Sequence, residues 1–195
     1  VKLVVGLGNP GGKYSNSRHN AGFMILERFA GLHDVSINQS LLDSRMGKGK
    51  IAGETVILAE PQTFMNLSGV SVRRLADYFK ITAEEIIVLH DDLDLPFQTI
   101  RLKAGGGHGG HRGLLSLMEH LGNGDFARIR FGIGKPPRKS MVEGYVLERF
   151  SSEESESLDE LTGRAAEALY DIIVSGIGPA MQKYNKKEAR REVAE

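Results

Sequence analysis

Cysteine is missing from all 195 residues. That excludes disulfides, thiolate metal sites and a thiol nucleophile. No stretch reaches the ~20 consecutive apolar residues that a membrane helix needs. The opening Val1-Lys2-Leu3-Val4-Val5-Gly6 reads as a buried strand, whereas a secretory leader would carry a longer apolar core before a cleavage site. A soluble, cytoplasmic protein with no membrane partner is therefore expected. Also absent are a G-x-S-x-G nucleophile elbow and an H-E-x-x-H zinc helix. Net charge is lacking too, because 25 Lys and Arg balance 25 Asp and Glu, which taken whole argues against a nucleic-acid partner. The distribution argues otherwise. From Arg101 to Met141 the bases are Arg101, Lys103, Arg112, Arg128, Arg130, Lys135, Arg138 and Lys139, against only Glu119 and Asp125. From Glu143 to Asp171 acids dominate. A neutral total thus conceals a basic and an acidic region, and it is the local field that binds phosphate.

What is present suits one α/β domain: 41% of residues are hydrophobic, enough for a single core at this length. Leu3 to Leu7 is a short apolar run stopped by Gly and Pro, a buried strand followed by a polar turn from Asn9 to Ser17. Ala21 to Ala30 shows helical spacing and closes near Gly31. Met46 to Ala59 reads as a hairpin turning at Gly53-Glu54. Leu67 to Phe79 reads as an amphipathic helix with Asn66 as its cap. Ile86 to His90 and Arg128 to Ile133 read as strands, Arg112 to Leu121 and Ser152 to Ser175 as helices, the last with acids at its start that suit the helix dipole. Strands alternating with helices imply a layered α/β fold with a largely parallel core. The highly charged end from Lys183 is expected to fray.

Gly6-Leu7-Gly8-Asn9-Pro10-Gly11 matches the dinucleotide pattern G-x-G-x-x-G literally. That pattern needs a helix opening at the glycines and an acid about 20 residues on, after a second strand. Here Gly12 to Ser17 delays the helix, and Glu27 lies inside it, so a turn at the carboxyl end of a strand is the better reading. In open α/β sheets that end is where ligands sit, and Asn9 would point its amide into such a cleft. His19 stands just before the first helix, and His90-Asp91-Asp92-Leu93-Asp94 follows a buried strand. An Asp can orient a histidine, and a His–Asp pair without a protein nucleophile points to water activated by general base catalysis. Gly105-Gly106-Gly107-His108-Gly109-Gly110-His111 is the densest signal. Its glycines would let backbone approach a ligand and would present N–H groups to an anion at the helix start. A zinc site drawn from His90, His108, His111 and the Asp91, Asp92, Asp94 carboxylates is the rival reading, on a weak H-x-x-H signal. Met65 suits packing or the wall of a cleft. Asn66 suits a cap or an amide that donates to a developing oxyanion.

Taken in order, Val5 to Gly11, Tyr14, Arg18-His19-Asn20-Ala21-Gly22, Thr63 to Gly69, His90-Asp91 with Leu93 to Pro96, and Gly105 to His111 closely resemble bacterial peptidyl-tRNA hydrolase, over Val1 to about Tyr184. The resemblance implies a monomeric, single-domain, three-layer α/β/α fold with a mixed, twisted sheet over residues 1–184, and a charged tail over 185–195. It implies peptidyl-tRNA as substrate, ester hydrolysis, and no metal or other cofactor. By position it makes His19 the base and Asp91 its orienting carboxylate. Asn9 and Asn66 become the residues that position carbonyls. Tyr14, Asn20, Met65 and His111 become substrate contacts, and Lys103 and Arg130 a clamp for the tRNA 5′-phosphate. One position departs from the pattern. Arg112 stands where asparagine usually follows the second histidine of the glycine-rich loop, and an Arg has no acceptor with which to replace it. Arg112 is kept as a binding residue outside the catalytic set. A catalytically silent RNA-binding relative and a nicotinamide oxidoreductase remain the alternatives from other classes.

Overall fold

The computed structural model describes residues 1–186. Among them seven strands form one sheet: β1 (Lys2–Gly6), β2 (Gln39–Leu41), β3 (Ser44–Ile51), β4 (Glu54–Pro61), β5 (Ile86–Asp92), β6 (Ile100–Lys103) and β7 (Ala127–Gly132). The order across the sheet is β2-β3-β4-β1-β5-β7-β6. The centre, β4-β1-β5-β7, is parallel, and β2, β3 and β6 pair antiparallel at the two sides. The helices are α1 (Ala21–Leu32), α2 (Ser68–Phe79), α3 (Arg112–Leu121), α4 (Val142–Leu147), α5 (Ser152–Ser175) and α6 (Ile177–Tyr184).

Strand alternation builds the layers. Val4, Leu58, Leu89 and Ile129 point to one face, where they meet α1 and α5. Leu3, Val5, Ile57 and Val88 point to the other, under α2 and α3. Burying each of these side chains contributes ~1.5–3 kcal/mol, so two continuous apolar faces hold the three layers together. The α/β/α sandwich with a mixed sheet expected from the sequence is the fold found. None of the described helices is long and apolar enough to cross a membrane.

The glycines of the first turn serve this packing. A Cβ on Gly22, in the first turn of α1, would collide with Leu7 N and Leu89 O, and one on Gly6 would meet Gly22 O. The literal G-x-G is thus a close helix–strand contact, and α1 starts at Ala21, well beyond the glycines. That contact brings the segment just before α1 against the carboxyl end of β5.

Four elements were not legible in the sequence: β2, β6, α4 and α6. β2 has three residues and β6 four, too short for periodicity to register. The period-2 pattern Ile100-Arg101-Leu102-Lys103 was the available signal for β6. α6 carries Pro179 in its first turn, where a missing N–H costs nothing. Two expectations need correction. Asn66 does not cap α2, which begins at Ser68; Asn66 lies in a 3-10 turn, Met65–Leu67, with no side-chain cap bond. The chain does not fray from Lys183, because Lys183 and Tyr184 both reach Asp171 and Asn185 pairs with both Leu102 N and Leu102 O. Of the tail expected over 185–195, residues 187–195 lie outside those described.

Glu60 on β4 is fully buried beside Arg45, its cross-strand partner. Oε2 accepts from Arg45 at 3.0 Å, while Oε1 is buried without a partner. Burial, then Glu27, outweigh Arg45 and push the carboxyl up to about 7. Between the ordinary value near 4.5 and about 7 the folded chain keeps a proton that the unfolded chain has lost. Stability is therefore favoured below that window and falls as pH rises through it. Glu60→Gln removes this loss, so its gain over wild type in urea unfolding should be near zero at pH 5 and about 1–3 kcal/mol at pH 8. An equal gain at both pH values would mean that Glu60 titrates normally.

Candidate active site

The parallel strands β4, β1, β5 and β7 all end on one side of the sheet, and a cleft of about 1320 Å³ opens there. It is lined by Asn9, Tyr14, His19, Met65, Asn66, Asp91, Lys103, His111, Arg112 and Arg130. Of the expected site residues only Asn20 is not at its surface. The far wall is formed by α4 and the segment before it, including Lys135, Lys139 and Glu143. That wall was not foreseen, since α4 was not.

His19 and Asp91 meet at the centre although 72 residues separate them. Asp91 follows Ile87 and Leu89 on the α1 face of β5, and His19 sits in the 3-10 turn Arg18–Asn20 that leads into α1. His19 Nδ1 lies 2.9 and 3.0 Å from the two Asp91 oxygens. His111 Nε2 lies 2.8 Å from Asp91 Oδ1. The 3-10 turn is anchored by Arg18, a residue the sequence did not single out. Its guanidinium pairs with Glu148 at 3.1 Å and Glu154 at 2.8 Å and stacks on Tyr145 at 4.0 Å. Glu154 also completes the capping box of α5 with Ser151, so the helix cap and the His19 turn share one carboxylate.

The hydrogen bonds fix the protons. His111 is the N-cap of α3, and its Nδ1 accepts from Gly113 N at 3.1 Å and Leu114 N at 3.3 Å. An acceptor carries no proton, so the His111 proton sits on Nε2 and is donated to Asp91. Asp91 therefore receives two N–H groups, one from each histidine. Burial alone would raise its carboxyl, but the N–H groups that His19 and His111 donate to it hold it well below the usual carboxylate range. It stays ionised and keeps the His19 proton on Nδ1. That leaves His19 Nε2 with a lone pair, the atom a general base needs. His90, beside this pair, donates Nδ1–H to Asp91 O at 2.7 Å. Burial, then His111, push it down to about 3, so it forms a neutral wall.

His19, Asp91 and His111 place ligand atoms within 4.8 Å of one another, close enough for a metal ion. The donor chemistry fits poorly. To ligate through Nε2, a neutral His111 would need its proton on Nδ1, where two backbone N–H groups already point.

Asn9 and Asn20 divide the work between them. Asn20 is 1% exposed and grips the Asn9 backbone from both sides, accepting from Asn9 N at 2.8 Å and donating to Asn9 O at 3.0 Å. It is a support for the turn, not the substrate contact expected. Asn9 Oδ1 accepts from Met65 N at 2.8 Å, which turns the Asn9 NH₂ to the cleft and ties β1's turn to that after β4. Asn66, next to Met65, is exposed in the cleft.

The glycine-rich loop also differs from expectation. Gly105, Gly106, Gly109 and Gly110 all have positive φ, so the backbone path itself requires glycine. The N-terminus of α3 is not open to an anion, because the His111 ring occupies it. Arg128 is 2% exposed, and its guanidinium donates to the carbonyls of Gly106 and Gly107. It tethers the loop and drops out of the basic surface. Pairing of β6 with β7 sets Arg101 opposite Arg130 and Lys103 opposite Arg128, so the same alternation that buries Leu102 and Ile129 gathers these bases on the other face. Arg130 is not free: Nε lies 2.7 Å from Asp92 Oδ2.

The size of the cleft narrows the class of protein. Ordinary small-molecule pockets occupy ~300–1,000 Å³, and this one is wider and edged with cations. The fold and the site are those of a hydrolase for a large anionic substrate. The family model for peptidyl-tRNA hydrolase matches residues 3–192, and the chain belongs to that family. It is 48% identical to a peptidyl-tRNA hydrolase of Geotalea uraniireducens over 188 residues, covering 96% of this chain and 98% of the relative. It is 47% identical to one from Geobacter sp. strain M21, covering 96% and 99%. The crystal structure of peptidyl-tRNA hydrolase from Acinetobacter baumannii superposes with a TM-score of 0.91 at 38% identity, covering 96% of each chain.

Proposed function

We propose that this chain hydrolyses the ester between a peptide and the 3′ end of tRNA, and that His19 is the base that activates water. The observation that carries this reading is the His19–Asp91–His111 arrangement, which leaves one lone pair on His19 facing the cleft. No Ser or Thr hydroxyl bonds to His19 among the described residues, so water is the nucleophile the geometry favours. His19 Nε2 takes a proton from water as its oxygen bonds to the ester carbonyl carbon. Negative charge develops on the carbonyl oxygen, and the NH₂ groups of Asn9 and Asn66 donate to it. The C–O bond to the tRNA 3′-oxygen breaks, and that oxygen leaves with the proton from His19. The products are a free peptide carboxylate and tRNA. This work is done by a single chain in the cytoplasm, with Tyr14, Met65 and His111 walling the cleft. Release of labelled peptide from N-blocked aminoacyl-tRNA in the presence of EDTA tests the reading. Turnover supports it, whereas tRNA binding without turnover would favour a silent RNA-binding protein.

Lys103 and Arg130 serve the tRNA phosphates in this reading. Lys103→Met should raise KM and flatten its salt dependence by about 0.7–0.9 in log–log slope. Arg130→Met should do less, because Asp92 already offsets its charge. Unchanged slopes in both variants would remove these residues from the tRNA path.

A further inference from the structure

Arg112 opens α3 on one wall of the cleft, and Glu143 lies in the first turn of α4 on the other. Their charges meet across the mouth, with Arg112 Nη1 3.6 Å from Glu143 Oε1. This is longer than a direct hydrogen bond. The two side chains are 64% and 73% exposed, and ion pairs held so loosely in water are weak. Two other cation–carboxylate pairs edge the cleft, Arg130–Asp92 and Lys135–Asp94, each at 2.7 Å. Arg112 is thus the least committed of the three cations. It is also the one next in sequence to His111, whose ring centroid is 5.0 Å from that of His19. A guanidinium binds phosphate through parallel N–H donors, a better partner than a distant carboxylate.

We propose that Arg112 forms a phosphate subsite for the 3′-terminal nucleotides of the substrate, with Glu143 as the counter-ion that phosphate displaces. The inference rests on the peptidyl-tRNA reading and adds to it a contact close to the scissile ester. Because the pair is loose and solvent-exposed, exchanging Glu143 for a phosphate costs little.

The test uses one N-acetylaminoacyl group carried on either of two esters, a CCA trinucleotide with its phosphodiesters or adenosine with none. Glu143→Gln should lower KM for the trinucleotide ester about threefold at low salt, and Arg112→Met, which removes the charge without adding a polar group, should raise it about three- to tenfold and flatten its salt slope by about 0.7. Neither variant should shift KM for the adenosine ester. In the Arg112→Met background, Glu143→Gln should bring no gain. Fluorescence anisotropy of a labelled CCA trinucleotide gives the same contrasts without turnover, so a failure of the hydrolase reading would not be mistaken for a failure of this one. Equal shifts on both esters would overturn the proposal, since Arg112 would then act on the peptide or on the centre itself. A rise in KM with Glu143→Gln would also overturn it, marking the pair as a structural strap.

Discussion

His19→Ala will lower kcat by about 10²–10⁴-fold, the usual cost of losing a general base, and leave tRNA affinity near that of wild type. The reason is confined to one atom. Asp91 and the His111 cap hold the His19 proton on Nδ1, so Nε2 is the lone pair offered to water. Removing the ring leaves the supports in place. Asp91 keeps its bond from His111 at 2.8 Å, and Arg18 still pins the turn to Glu148 and Glu154. The bases that line the mouth are elsewhere, on β6, β7, α3 and the loop before α4. Single-turnover release of labelled peptide, beside equilibrium binding of uncharged tRNA, separates the two effects. Near-full turnover in the variant would remove His19 as base, and loss of binding as well would mean the turn had collapsed.

The parts of this site that were readable in the sequence are those fixed locally. β1 and β5 show as apolar runs, and Asn9 after the first and His90-Asp91 at the end of the second show as polar residues where α/β sheets bind ligands. That His19 finds Asp91, 72 residues away, follows from β1 and β5 being neighbours in the sheet, which no periodicity contains; the ordered set of motifs was what suggested it. Asn20 was expected at the substrate and Arg128 was counted in a basic stretch for a common reason. Each is a polar residue beside a ligand-like motif, and polarity alone does not say whether a side chain faces substrate or backbone. Asn20 grips Asn9, and Arg128 grips Gly106 and Gly107. α4 was invisible because six residues with Gly144 among them carry little helical signal, yet it forms the second wall. Its place depends on packing, with Val146 buried against the α1 and α5 layer.

Asp91→Asn should be nearly as damaging as loss of the histidine, about 10²–10⁴-fold in kcat, while the fold is kept. An amide keeps the size of the carboxylate but has one acceptor and one donor. His111 decides which way it turns. Its Nδ1 is committed to Gly113 N and Leu114 N, so its Nε2 must remain a donor, and the amide oxygen must face it. The amide oxygen then stands at the Oδ1 position, 2.9 Å from His19 Nδ1, and the NH₂ at the Oδ2 position, 3.0 Å from it. The NH₂ opposes an Nδ1–H, which favours the His19 proton on Nε2, and the carboxylate charge that would stabilise the imidazolium is lost. The same logic makes His111 a positioning residue with a separable signature. His111→Ala loses the cap and the second donor to Asp91, but Asp91 as carboxylate still fixes His19. Its loss in kcat should therefore be the smaller of the two. Nitrogen-resolved NMR of the His19 ring checks the argument directly: Nδ1–H in wild type, Nε2–H in Asp91→Asn. An Asp91→Asn variant with the wild-type tautomer and undiminished turnover would show that Asp91 neither orients His19 nor matters for the reaction.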